Sequence, residues 1–308
     1  TSKSQKIREQ GNVTFAWDNT HDLTHSSQEN FASTGNIFGR SISDSRSDNH
    51  SFNLYNNFRV SGKLGVWSDT RIDYSDRKSS SSNLSATYSA NPERWGDIRQ
   101  TIDSTFAQNV SGSLHDIITN RSLYQSRSKE HAFTASETAM VWYKLPWGDR
   151  ITLDMYGKYA SSKPNESFSL NRNEYFKTGE KDLRNYYNDS RQNSYDMNAS
   201  LDYEIGFPYT KWAMFIGPKF AQTYQSVKGL KYRLDELGGD WIANPELMFA
   251  TLPSNMEQLS GVIDEDVSRS YQTMKKNTGG ELVFQRNDRS SYLFLSLSIS
   301  EEKERLNY

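Results

Sequence analysis

The chain has 308 residues and a formal net charge of −2, from 36 basic and 38 acidic side chains. That balance excludes a basic footprint, so no nucleic-acid partner is expected, and the lack of cysteine excludes disulfides, thiol nucleophiles and cysteine-based metal sites. Hydrophobic residues are only 34% of the chain, yet aromatic residues reach 13%. This combination argues against disorder and favours a wall with apolar side chains on alternate positions, although a soluble β-sandwich could have similar totals.

The first part of the chain contains three short segments in which apolar and polar residues alternate. They cover residues 12–18, 51–60 and 70–77. A period of two is the signature of β-strands, so each is predicted to be a strand. The polar stretches between and after them, at 19–49 and 78–130, are predicted to be long loops.

The middle of the chain continues with a hairpin. Residues 131–145 and 150–160 alternate on either side of a compact turn. Glu137 interrupts the apolar face of the first strand, which predicts a bulge or an imperfect register there. The polar stretch that follows, at 161–193, is predicted to be a third long loop.

The clearest alternation lies in the hairpin at 194–224. Its first strand places six apolar residues on one face and five polar residues on the other, and the turn is predicted at 206–211. Aromatic residues stand near both ends of the apolar face, as in strands with lipid outside and water inside. After a fourth long loop at 225–273, a last hairpin is predicted from 279–285 and 291–300 across a turn at 286–290.

Short turns therefore join one end of the strands and long polar loops join the other. This one-sided layout is typical of outer-membrane barrels and uncommon in compact soluble domains. The predicted fold class is an all-β, antiparallel transmembrane β-barrel with short periplasmic turns and long extracellular loops. About nine strands are predicted, whereas single-chain bacterial barrels close with an even number. Residues 1–308 are therefore expected to form one partial barrel domain, truncated at both ends and without a plug domain.

Three stretches carry a resemblance to a known family: HSFNLYNNFRVSGKL, WYKLPWGDRITLDMYGKYASS and WIANPELMFATLPSNMEQLSGVIDEDVSRSY, the last followed by a new strand. The chain looks like the barrel of outer-membrane proteins of the Bacteroidota, in the group similar to TonB-dependent receptors. The resemblance is one of layout over most of the chain, and no TonB box is present in it. It implies transport of a nutrient too large for a porin, such as a glycan, a peptide or a chelate.

The inward faces of two neighbouring hairpins hold the most functional-looking group of residues. Lumen residues tune the selectivity of a barrel or contact a plug, although any barrel interior must be polar. The candidate lumen-facing residues are Thr152, Asp154, Tyr156, Lys158, Asp196, Asn198, Ser200, Asp202 and Glu204.

The predicted loops contain further ligand candidates. Trp95 and Trp241 could stack on a sugar, although packing within their own loops is the simpler role. Asp264, Glu265 and Asp266 could hold a calcium ion through carboxylate oxygens, but no EF-hand spacing is present, and solvated acidic loop tips are the simpler interpretation. No catalytic motif is found, and neither an enzyme activity, a cofactor nor a metal is expected.

Three hypotheses follow. The first is an outer-membrane transport barrel that contacts outer-membrane lipid and an unknown nutrient ligand, with TonB and a surface lipoprotein as possible partners. The second is a surface platform whose loops bind a partner or ligand without transport. The third is a soluble all-β binding domain.

Overall fold

The computed structural model describes residues 6–31, 35–207, 212–288 and 291–307. In these ranges nine strands form one antiparallel sheet, and each strand pairs with the next along the chain. The predicted all-β, antiparallel class and the predicted strand number are confirmed. The strands are β1 (Lys6–Asn30), β2 (Ile37–Ser61), β3 (Leu64–Tyr88), β4 (Ile118–Lys144), β5 (Arg150–Tyr175), β6 (Lys181–Gly206), β7 (Trp212–Arg233), β8 (Arg269–Asp288) and β9 (Ser291–Asn307).

Two long connections carry the helices. Loop A, residues 89–117 between β3 and β4, contains a 3-10 helix (Glu93–Trp95), α1 (Ile98–Phe106) and α2 (Gly112–His115). Loop B, residues 234–268 between β7 and β8, contains α3 (Asp240–Ala243) and two 3-10 helices (Leu234–Leu237 and Met256–Val262). No helix in the described ranges is long and apolar enough to cross a membrane.

The predicted loop boundaries were wrong, because the strands continue far into the polar stretches. The loop predicted at 19–49 shrinks to the connection 31–36, and the one predicted at 161–193 shrinks to 176–180. The other two are confirmed only in part, as loop A and loop B. Of the predicted turns, residues 208–211 and 289–290 lie outside the described residues.

Cross-strand polar pairing explains why these stretches are strands. The serine run from Ser79 to Ser82 on β3 pairs in continuous register with β4. The hydroxyls of Ser79 and Ser128 lie 2.7 Å apart and form a hydrogen bond across the two strands. Such pairs stabilise a sheet without any apolar layer, so the alternation of apolar and polar residues disappears while the strand persists.

The irregularity predicted at Glu137 was also wrong. The register runs unshifted through the Thr70–Glu137 pair. The hydroxyls of Ser68 and Thr70 both donate to the Glu137 carboxylate, so the acid is satisfied within the sheet. A real bulge lies in β5 between Ser162 and Asn165, where Pro164 has no backbone N–H to give to a neighbouring strand.

The half of the sheet nearest the short turns has two unlike faces. Direct antiparallel partners share a face, so the pairing of Met155 with both Ala139 and Ala199 defines one side, which we call the apolar face. Many large apolar side chains on this face of β4 to β9 are exposed, from 36% for Ile151 to 75% for Ile299, while others such as Leu153 and Leu282 are half-buried. The opposite side, called here the polar face, carries hydroxyls, amides and charges.

The half of the sheet nearest the long loops is covered on the apolar-face side. α1 and α2 of loop A pack there on Phe38, Ala86 and Tyr88. Loop B packs its Leu234, Leu259 and Val262 against Tyr187 of β6. β2 runs without a register shift from Phe38 to Phe52, so the loop-covered and exposed apolar regions belong to one continuous side of the sheet.

The exposed apolar band is staggered relative to the hydrogen-bond rows. The row that starts at Phe52, the upper end of the band on β2, reaches Asn307 on β9. The upper end of the band on β9 is Ile299, eight positions below that row. Eight positions over seven strand spacings correspond to strands tilted by about 40° from the normal of the band. On β6, however, the upper end of the band is Tyr195, two positions below the same row after four spacings, which corresponds to about 20°. The strands therefore cross the band obliquely at about 20–40°, in the same sense as the 35–45° tilt of a barrel wall.

The extended pairing can be tested with disulfides, since the chain has no native cysteine. We expect Ser81→Cys with Ser126→Cys to form a disulfide readily, because these residues are direct partners on β3 and β4. Mobility on non-reducing gels measures the cross-link. The control pair Ser81→Cys with Gln125→Cys should fail to close, since its side chains point to opposite faces. Equal closure of the two pairs would contradict the register.

Candidate functional site on the polar face

The register brings all nine candidate lumen residues onto the polar face of β5 and β6. Thr152 pairs with Asp202, Asp154 with Ser200, Tyr156 with Asn198 and Lys158 with Asp196, while Glu204 pairs with Arg150. Strict alternation along both strands was enough to predict this grouping. Whether the face borders a lumen stays a prediction.

The polar face is concave. One cavity of about 450 Å³ is lined from six consecutive strands, β4 to β9. A second, of about 500 Å³, is lined from β1 to β5 at mid-height on the same side. A space that touches six strands at once requires the sheet to curve around it. Polar side chains that line the first cavity are Thr138, Asp154, Tyr156, Asn198, Ser200, Lys219, Asn277, Ser298 and Ser300.

Ionic contacts hold the long side chains of this face against the wall. Arg150 contacts Glu204 at 2.7 Å, and Lys219 contacts Glu281 across β7 and β8. The Ser200 hydroxyl donates to Asp202 at 3.3 Å. Asp154 stands on the wall of the 450 Å³ cavity. The wall therefore offers carboxylate, hydroxyl and amide groups to whatever enters the cavity.

Asp149 connects strand ends at the edge of the sheet nearest the short turns. Its carboxylate accepts hydrogen bonds from the Tyr203 hydroxyl at 2.7 Å, the Trp147 Nε1 at 2.8 Å and the backbone N–H of Gly206 at 3.3 Å. The Tyr203 hydroxyl, followed by the Trp147 indole and Gly206, lowers the pKa of Asp149 although desolvation opposes them. The turn after β4 is thereby tied to the end of β6.

Close backbone approach shapes the wall at Gly217 of β7. A Cβ built there would lie 1.7 Å from the carbonyl oxygen of Leu201 on β6. Only glycine fits such an approach without moving a strand. By contrast, a Cβ at Gly157 of β5 would meet open space.

The two tryptophan candidates pack within their loops. Trp95 packs against the loop A core, and the Arg94 guanidinium lies 3.8 Å from its ring centroid. Trp241 packs against the loop B core, and its Nε1 is buried without a hydrogen-bond partner among the described residues. These contacts are those of loop anchors, and stacking on a sugar stays a prediction.

The acidic candidates stand near the end of loop B. The Asp264 N–H donates to the Lys231 carbonyl at 2.8 Å, so this residue closes the loop onto β7. Glu265 and Asp266 are exposed. Within the described ranges, no three or more histidine, aspartate or glutamate side chains come close enough to hold a metal ion.

A second region was missed from sequence because 78–130 was taken as loop. Loop B and the sheet enclose a cavity of about 1040 Å³ on the apolar-face side, and its walls carry Lys78, Arg127 and Lys129. Recognising the serine run as a strand would have brought these cations together, since Lys78 and Lys129 are direct partners. This group, Lys78, Arg127 and Lys129, is called the cationic cluster below.

The arrangement on the polar face is suited to binding polar solutes. Its groups are spread along strands, where each can donate or accept a hydrogen bond. None of the five histidines of the chain lines the 450 Å³ cavity. The expectation that the chain is not an enzyme stays a prediction.

Comparisons with known proteins add little. No protein-family model and no curated protein matches the chain. Among solved structures it aligns with Pseudomonas aeruginosa OccK5 (OpdH) at 6% identity and a TM-score of 0.11, over 100% of this chain and 99% of that one. It aligns with Pseudomonas aeruginosa OpdQ at 7% identity and a TM-score of 0.09, over 99% and 100%. Such scores carry no argument about fold or function, and the family resemblance stays a prediction.

The close approach at Gly217 generates a test of the wall. We expect Gly217→Ala to lower the free energy of unfolding by about 1–3 kcal/mol, because the added methyl would collide with the Leu201 carbonyl. Unfolding in urea measures the change. Gly157→Ala, which adds the same methyl in open space, is the control. A larger loss in the control than in Gly217→Ala would be inconsistent with the β6–β7 packing.

Proposed function

We propose that the chain forms part of the wall of a bacterial outer-membrane β-barrel that takes part in nutrient transport. The observation that carries the proposal is the exposed apolar band, which crosses the strands obliquely in the same sense as in a barrel wall. Monomeric soluble proteins rarely expose one continuous apolar surface of this extent. The concave polar face on the other side of the same strands is suited to a water-filled lumen.

The height of the band supports the same proposal. On β6 the apolar residues run from Tyr195 to Ile205, ten positions along the strand. At about 3.4 Å per residue and a tilt of about 20–40°, this gives a band about 26–32 Å tall. The apolar band of outer-membrane barrels is about 25 Å tall. Stacked rings of Tyr195 and Tyr224, with centroids 5.2 Å apart, mark its upper margin, where interfacial aromatics are expected.

Transport through a TonB-dependent barrel is the finer form of the proposal. The lumen-facing role of the polar residues on β5 and β6, the long loops as extracellular capture elements, and TonB or a surface lipoprotein as partners all belong to it. The polar cavity supports a solute rich in hydrogen-bonding groups, such as a glycan or a peptide. Uptake of labelled solutes by a deletion strain separates transport from a platform that only binds.

Membrane insertion has a sharp test in two neighbouring residues of β6. We expect Ala199→Arg to lower the free energy of unfolding from lipid vesicles by about 2–4 kcal/mol, because residue 199 lies on the apolar face near mid-band. Ser200→Arg, on the polar face one residue further, should change it by less than about 1 kcal/mol. Folding is followed by the shift in gel mobility between heated and unheated samples across a urea series.

The outcomes separate the three hypotheses. Equal effects of the two arginine variants would contradict a lipid-facing band. A stable monomer extracted without detergent would establish a soluble all-β domain instead. Vesicle insertion without any solute uptake would favour the surface platform.

A further inference from the structure

The cationic cluster has no ion partners. Lys78 on β3 and Lys129 on β4 are direct cross-strand partners, and Arg127 lies two positions further along β4 on the same face. Among the described residues none of the three forms a salt bridge. Like charges directly opposite each other in a sheet repel and cost stability. Each lysine has an acid as its other cross-strand partner, Asp48 for Lys78 and Glu166 for Lys129, but neither acid lies within salt-bridge distance of its lysine. The ammonium groups of the pair are thus left available to an anion from outside the chain.

The acidic groups on this side are mostly occupied elsewhere. Asp48 is the β2 partner of Lys78 and lines the same cavity as the cluster, but its Oδ1 accepts a hydrogen bond from Trp17 Nε1 at 3.0 Å and contacts His50 at 3.0 Å. Asp44 contacts His21 at 3.0 Å and Arg46 at 3.5 Å.

Glu166 is the remaining acid. It is the β5 partner of Lys129 and lines the same cavity without forming a salt bridge among the described residues. Two carboxylates, Asp48 and Glu166, therefore line the cavity with four cations, Arg46 and the three of the cluster, and the lining keeps an excess of positive charge.

The cavity in front of the cluster is large enough for a multivalent headgroup. Its volume is about 1040 Å³, and the three cationic side chains are exposed to it and to solvent. Ala250 and Leu252 of loop B form part of the opposite wall, while Phe168 of β5 adds an aromatic surface. Charge and apolar surface thus meet in one space.

The height of the cationic cluster above the apolar band indicates that the phosphate belongs to a lipid. It lies on the same side of the sheet as the exposed apolar band. Lys78 stands four positions beyond Tyr74, and Lys129 four positions beyond Phe133, the last apolar residues of the band on their strands. With a tilt of about 20–40° this is about 10–13 Å above the hydrocarbon boundary. The headgroup layer is about 5–7 Å thick, and a lysine side chain can reach down to it.

We propose that Lys78, Arg127 and Lys129 form a binding site for a multiply phosphorylated ligand, namely the phosphate groups of an outer-leaflet glycolipid beside the barrel. The lipid source rests on the proposed membrane function, whereas the phosphate chemistry does not. The site would anchor loop B above the membrane, because the same cavity is bounded by Ala250 and Leu252.

The test compares three probes on the whole chain in detergent: lipopolysaccharide, its dephosphorylated form, and soluble inositol hexakisphosphate. We expect lipopolysaccharide to bind at least about tenfold more tightly than the dephosphorylated form. Lys78→Gln combined with Lys129→Gln should weaken that binding by about tenfold or more, since each basic residue near an anionic surface contributes about 1 kcal/mol. Native mass spectrometry reports bound lipid.

Arg59→Gln combined with Arg77→Gln is the matched control. It removes the same charge from the polar face of neighbouring strands, from residues without a salt bridge among those described, and should leave the affinity within about twofold. Equal loss in both double variants, or no preference for the phosphorylated lipid, would overturn the site.

The soluble probe separates the two possible sources of phosphate. If inositol hexakisphosphate bound as tightly as lipopolysaccharide, with the same loss in the Lys78/Lys129 variant, the lipid source would be overturned and the phosphate site supported. That arm does not depend on membrane insertion. It therefore distinguishes failure of this inference from failure of the barrel proposal.

Discussion

The structure depends on uninterrupted backbone pairing between neighbouring strands. Each of the inner strands β2 to β8 exchanges hydrogen bonds with both neighbours over most of its length. In lipid an unpaired backbone group costs several kcal/mol, so such pairing is a condition for exposing an apolar face at all. Once the backbone groups are paired, the side chains of each face can be apolar or polar according to what that face contacts. Even Glu137 is accommodated, because hydroxyls from the neighbouring strand donate to its carboxylate.

This division explains which parts of the fold could be predicted from sequence. The lower strand halves have one face with exposed apolar residues and one polar face, so Tyr195 to Ile205 alternate and the strand was found. In the upper halves one face is polar, and the other is either polar or covered by loops. Successive residues there do not alternate between polar and apolar, so the sequence shows no period of two. Gly179, with a φ of +74°, marks the real turn between β5 and β6 and was an available signal.

The candidate site residues show the same difference between what the sequence could predict and what it could not. The nine polar residues of β5 and β6 could be grouped from alternation alone, because no bulge separates them. The cationic cluster could not, since it requires the pairing of Lys78 with Lys129 across loop A. Nor could sequence show that Trp95 and Trp241 pack in loop cores, because such packing depends on contacts between segments far apart in the chain.

The stagger of the apolar band also decides which polar residues share a depth. Hydrogen-bonded rows climb relative to the band, so a ring at constant depth drops by about half a residue to one residue at each strand step. The β9 residues level with Tyr156 of β5 therefore lie at Ser298 to Ser300, below Glu302, where the row of Tyr156 ends. Both Tyr156 and Ser298 line the 450 Å³ cavity. In the proposed barrel, a constriction built by this wall would follow such a diagonal set of side chains, and its narrowest part would run as a spiral instead of a flat ring.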